Sequence, residues 1–88
     1  MTHRAYIGMG SNLGDREGRL REAVDAMRKL PGTRVAAESA IYVSAPVGAA
    51  GPQPDYFNAV VALDTPLSPH ALLEALQRIE QGAGRTRA

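Results

Sequence analysis

The residues best equipped for chemistry in this chain come in pairs: Tyr56 with Asn58, Gln77 with Glu80, and Arg85 with Arg87. A carboxamide offers two donors and an acceptor, so Asn58 has the complement of a heterocycle edge that carries both kinds of group. A nearby tyrosine ring can contact a flat heterocycle. Guanidinium forks grip phosphate oxygens bidentately, and two arginines alternating in an extended segment project to one side. Each pair also has a plainer reading: a polar residue on the exposed face of a strand, a routine surface ion pair, or a solvated basic tail. Taken singly, none of the pairs decides between the two.

Other chemistries find less support. Gly8-Met9-Gly10-Ser11-Asn12-Leu13-Gly14 lies where a dinucleotide fingerprint would lie, but its third glycine comes one position late. No Gly-Lys-Ser/Thr follows, so it is not a P-loop either. Glycines that permit a sharp strand-to-helix turn explain the stretch equally well. His3 and His70 stand alone, without a second histidine or a cysteine at ligand spacing. Asp15, Asp25, Asp55 and Asp64 are scattered, and none forms the close pair that would hold two magnesium ions.

The elements that must position these residues follow from periodicity. Ala5 to Met9 is a short apolar run ending in a turn, a buried strand. Asp15 is placed to cap a helix from Arg16 to Leu30, in which Leu20, Ala23, Val24, Met27 and Leu30 recur at threes and fours until Pro31-Gly32 stops it. Val35 to Val43 reads as one strand with a covered face, its odd-numbered residues alternating with Arg34, Glu38, Tyr42 and Ser44. Ser44 to Pro54 holds three prolines, two glycines and three alanines in eleven residues, a loop too long for a simple hairpin turn. The next strand turns Phe57, Ala59, Val61 and Leu63 one way and Tyr56, Asn58, Val60 and Ala62 the other. Ser68-Pro69 opens a second helix that buries Leu72, Leu76 and Ile79 and fades at Gly82 and Gly84. The order is strand, helix, strand, strand, helix. That predicts an α+β fold, the ferredoxin-like βαββα pattern with an antiparallel sheet, helices on one face and its closing strand missing. The edge of the first strand is then open and is an expected site of self-association.

Composition sets the outer limits. With 88 residues there is room for one domain, 1–88, and one modest core. The apolar share of 44% and charged share of 22% suit a folded chain. A net charge of +1 supplies no field to gather nucleic acid or an anionic membrane. The aromatics are Tyr6, Tyr42, Tyr56 and Phe57, with no basic-aromatic motif for RNA. With no cysteine and no apolar leader in MTHRAYIGMG, the expected compartment is the cytoplasm.

The order and spacing of AYIGMGSNLGD, QPDYFNA and RIEQGAGRTR resemble one family across nearly the whole chain, the 6-hydroxymethyl-7,8-dihydropterin pyrophosphokinases. Members transfer a diphosphate from ATP to the hydroxymethyl group of a reduced pterin with two magnesium ions. The resemblance implies a pterin pocket lined by Ser44, Ala45, Val47, Tyr56 and Asn58, with Asn58 reading the pterin edge. Ala45 stands where relatives commonly have a proline. It also implies that Gln77, Glu80, Arg85 and Arg87 approach ATP. The family's Asp-hydrophobic-Asp strand, which binds both magnesium ions, has no counterpart among these residues. Phosphoryl chemistry depends on cations that neutralise the transferring group. The expectation is therefore a partial domain, inactive by itself, or a non-catalytic pterin-binding or interaction module.

Overall fold

The computed structural model describes residues 1–12, 14–45 and 54–82. Its elements are β1 (His3–Ser11), α1 (Arg16–Arg28), β2 (Arg34–Glu38), β3 (Tyr42–Ser44), β4 (Tyr56–Thr65) and α2 (Pro69–Gly82). β4 is the centre of the sheet: β1 lies antiparallel on one side, and β2 and β3 lie antiparallel on the other. β1 and β2 are thus parallel to each other with β4 between them, the split β-α-β of a ferredoxin-like layer. Among the described residues no strand pairs with the free edge of β1, in line with the expected open edge.

Both helices begin where the sequence places a cap. The Asp15 carboxylate accepts from Gly18 N–H at 3.0 Å, and Ser68 Oγ accepts from Ala71 N–H at 3.1 Å. These side chains satisfy donors that a helix start leaves without an intrahelical partner. The helices cover one face of the sheet. Val24, Met27, Val61, Leu63 and Leu72 are buried together, and Ala5, Ile7, Met9, Val35, Leu76 and Ile79 pack around them. Leu63 is fully buried opposite Ala5 on β1 and Val35 on β2. Thr65, also fully buried, shares a 2.7 Å hydrogen bond with the Thr33 hydroxyl and accepts from Leu67 N–H.

The strand expected over Val35 to Val43 is broken in two. An extra residue enters between Val35 and Ala37, so that Val35 opposes Leu63 but Ala37 opposes Ala62. A second enters between Glu38, opposite Val61, and Tyr42, opposite Asn58. Each insertion reverses which face a side chain takes. Ala37 therefore turns away from the helices and Glu38 toward them, where it meets Arg28 of α1 at 2.6 Å. After the second insertion the original alternation returns, and Tyr42 and Ser44 share the helix-free face with Asn58 and Tyr56.

Candidate functional site

The helix-free face of the sheet carries the expected polar and aromatic pair. Antiparallel partners project to the same side, so Gly10 of β1, Asn58 of β4 and Tyr42 of β3 form one row across three strands, and Ser44 lies opposite Tyr56 in the next. Asn58 is tied to this frame through its amide nitrogen, 2.8 Å from Ser44 Oγ, 3.3 Å from the Tyr42 carbonyl and 3.4 Å from the Tyr56 carbonyl. A carbonyl can only accept, so the NH2 end must face β3 and Oδ1 must face β1. Both amide hydrogens have protein acceptors to hand. What Asn58 offers a ligand is therefore chiefly the acceptor Oδ1, narrower than the two-sided recognition its chemistry alone allows.

Around this point the face is open. Tyr6 is 70% exposed and Tyr42 53%. Tyr56 and Asn58 are half-buried, and Ser44 and Ala45 are exposed where β3 leaves the sheet. Arg16, in the first turn of α1, donates to the Asp55 carbonyl at 2.7 Å and lies 4.1 Å from the centre of the Phe57 ring. This contact fixes the start of β4 against the helix layer. Val47, the remaining expected pterin contact, lies outside the described residues.

Farther along the same face, Asp64 joins three strands, accepting from Arg4 of β1 at 2.5 Å and Arg34 of β2 at 2.8 Å. Arg4 first, then Arg34, holds its carboxyl below the usual carboxylate range, and Asp64 raises the Arg4 guanidinium in turn. Each of these ionic groups already faces a partner of opposite sign. The cluster is a cross-strand clasp.

Gln77 and Glu80 are exposed on α2, and Arg85 and Arg87 lie outside the described residues. Among the described residues no group of three or more His, Cys, Asp or Glu could hold a metal ion. His70 reaches Glu74 one turn on, at 3.4 Å. A groove of about 240 Å³ lies on the opposite side of the sheet, between α1 and the β2–β3 edge, lined by Met9, Leu20, Val24, Ile41, Ala59 and Val61 with Arg21 and Glu38 at its rim. Sequence reasoning missed Gly10 and Tyr42 as neighbours of Asn58. Tyr42 could have been found from its even-numbered parity with Ser44. Gly10 could not, because nothing local sets the register of β1 on β4.

The fold and the open face define an α+β domain of the ferredoxin-like class that presents a polar and aromatic site on an uncovered sheet. The sequence model of the 7,8-dihydro-6-hydroxymethylpterin-pyrophosphokinase (HPPK) family matches residues 6–88. The chain belongs to that family. It is 47% identical over 87 residues to the 2-amino-4-hydroxy-6-hydroxymethyldihydropteridine pyrophosphokinase of Pseudomonas aeruginosa, covering 99% of this chain and 53% of the relative. Against the Pseudomonas putida protein of the same name the identity is 49% over 87 residues, covering 99% and 71%. A mitochondrial folate synthesis bifunctional protein of Pisum sativum is 44% identical over 80 residues, covering 91% of this chain and 15% of its own length. The chain spans about half the length of most of the bacterial relatives it matches. Among the described residues no helix is long and apolar enough to cross a membrane.

Proposed function

We propose that this chain forms the pterin-contacting part of an enzyme that transfers a diphosphate from ATP to the hydroxymethyl group of 6-hydroxymethyl-7,8-dihydropterin, a step in folate biosynthesis. The observation that carries the reading is Asn58: its NH2 end is anchored on β3, and its carbonyl end is directed toward Gly10 of β1, on the sheet face that also bears Tyr56. An anchored acceptor selects a ring edge that presents N–H groups, and the tyrosine ring supplies contact for a flat heterocycle. Ser44 serves the site indirectly by holding the carboxamide. Ala45 and Val47 belong to the same reading as the pocket wall.

ATP belongs to the reading through Gln77, Glu80, Arg85 and Arg87, whose amide, carboxylate and guanidinium groups suit a nucleotide and its phosphates. Magnesium belongs to it through the family. Among the described residues no three carboxylate or histidine side chains are grouped to hold the ion. The test is AMP release from ATP on addition of the reduced pterin, measured on the full reading frame that contains these residues. Pterin-dependent AMP is expected, with a KM for pterin raised about threefold to tenfold in Asn58→Ala, the worth of one hydrogen bond. AMP release that ignores the pterin would overturn the proposal.

The free edge of β1 favours a second reading, self-association. Nine residues, His3 to Ser11, form a strand with no neighbour on one side among the described residues. Such an edge can accept another strand. Sedimentation of the 88-residue chain would then show a dimer, with β1 amides protected from exchange. A monomer with rapidly exchanging edge amides removes this reading.

A further inference from the structure

Gly8 and Gly10 occupy neighbouring positions on the helix-free side of β1, opposite Val60 and Asn58. A glycine inside a strand gives up side-chain contacts and adds freedom to the unfolded chain, so it calls for a reason. Backbone conformation is not the reason here: among the described residues only Gly14 and Gly32 have positive φ. The two positions differ in the space above them. A Cβ added at Gly8 would meet nothing within 4 Å. At Gly10 it would lie 3.1 Å from Asn58 Oδ1, 3.6 Å from Tyr56 Cδ1 and 3.9 Å from the Phe57 carbonyl.

The first of these distances is too short for comfort, and the Asn58 carboxamide has little room to yield. Its nitrogen is engaged by Ser44 Oγ and the Tyr42 carbonyl on the far side. Moving Oδ1 off position 10 turns the amide plane and stretches those bonds. We propose that Gly10 is a positioning residue for the ligand-reading carboxamide: with no side chain at position 10, Oδ1 lies close against the β1 backbone as an acceptor of fixed direction. The ligand it selects is a flat heterocycle whose edge carries amino or ring N–H donors. This rests on the reading of Tyr56 and Asn58 as the pterin contact.

The test compares the 88-residue chain with Gly8→Ala, Gly10→Ala, Asn58→Ala and the Gly10→Ala/Asn58→Ala double variant. The side-chain NH2 resonances of Asn58 are followed by nitrogen-proton NMR, and binding of 6-hydroxymethylpterin by calorimetry. Gly10→Ala should shift the Asn58 NH2 pair and weaken binding about threefold to tenfold, the range for one misaligned hydrogen bond. Gly8→Ala should leave both unchanged, and the double variant should bind no worse than Asn58→Ala alone, because the effect of Gly10 passes through Asn58. Unmoved Asn58 resonances in Gly10→Ala, or equal losses in the two glycine variants, would overturn the proposal. Shifted resonances without pterin binding in any chain, the unsubstituted one included, would uphold the positioning and overturn the pterin reading instead.

Discussion

Replacing Leu63 by alanine should remove the centre of the fold. Leu63 is fully buried on β4, and its cross-strand neighbours Ala5 and Val35 are too small to fill the space it would leave. Three carbons are lost, each worth about 0.8 kcal/mol of transfer free energy. Residual cavity adds to that, and buried leucine-to-alanine changes fall at about 2.7–5.0 kcal/mol. Met27 belongs to the same cluster and is flexible enough to fill part of the gap. The lower part of the range, about 3 kcal/mol, is therefore expected. A domain of this size has about 4–13 kcal/mol of stability in all. The midpoint of thermal unfolding followed by circular dichroism should then fall by about 12–24 °C, since each kcal/mol moves a domain of this size by about 4–8 °C. Leu73→Ala is the comparison: Leu73 is 53% exposed on α2, and its change should stay within about 0.5 kcal/mol. A loss under about 1 kcal/mol for Leu63→Ala, or equal losses at the two leucines, would refute the placement of both helices on this side of the sheet.

Two further outcomes test the frame around the site. The Asp64 carboxyl binds its proton less tightly in the folded chain, so the unfolded chain takes up more protons just below the ordinary aspartate range, and the stability due to the Arg4–Asp64–Arg34 clasp is lost as pH falls through that window. Urea midpoints measured from pH 6 down to about pH 2 should fall less steeply below about pH 4 for Asp64→Asn than for the unsubstituted chain, and identical slopes would remove the clasp from the account. Gly32→Ala should cost about 1–2 kcal/mol, because Gly32 has φ 63° and a Cβ there would come within 3.0 Å of Pro66 Cγ. A urea midpoint unchanged in that variant would show that the turn after α1 is not as described.

Local signals carried most of the layout. Asp15 and Ser68 announced the helix starts, the threes and fours of Leu20, Val24 and Met27 gave the buried face of α1, and alternation along β4 separated Asn58 from Phe57. The break between β2 and β3 was hidden for a definite reason. Two inserted residues reverse the facing twice, so Val35 and Val43 at the two ends keep the same side, and the alanines at 36, 37 and 40 are compatible with either face. Glu38 faces the helices, against its place in the simple alternation, because it falls between the two insertions. Tyr56 and Asn58 were legible as sharing a face, but the anchoring of Asn58 on β3 and its approach to Gly10 depend on register between strands 14 to 48 residues apart in sequence, which no local pattern encodes.

The proposed function requires that a heterocycle meet the helix-free side of the sheet. Titrating the nitrogen-labelled chain with 6-hydroxymethylpterin and following every backbone amide tests it directly. The account predicts changes centred on Gly10, Tyr42, Ser44, Tyr56 and Asn58, with Leu20 and Val24 of α1 left in place. Changes confined to the groove of Met9, Leu20, Ile41 and Ala59, on the helix side, would contradict it.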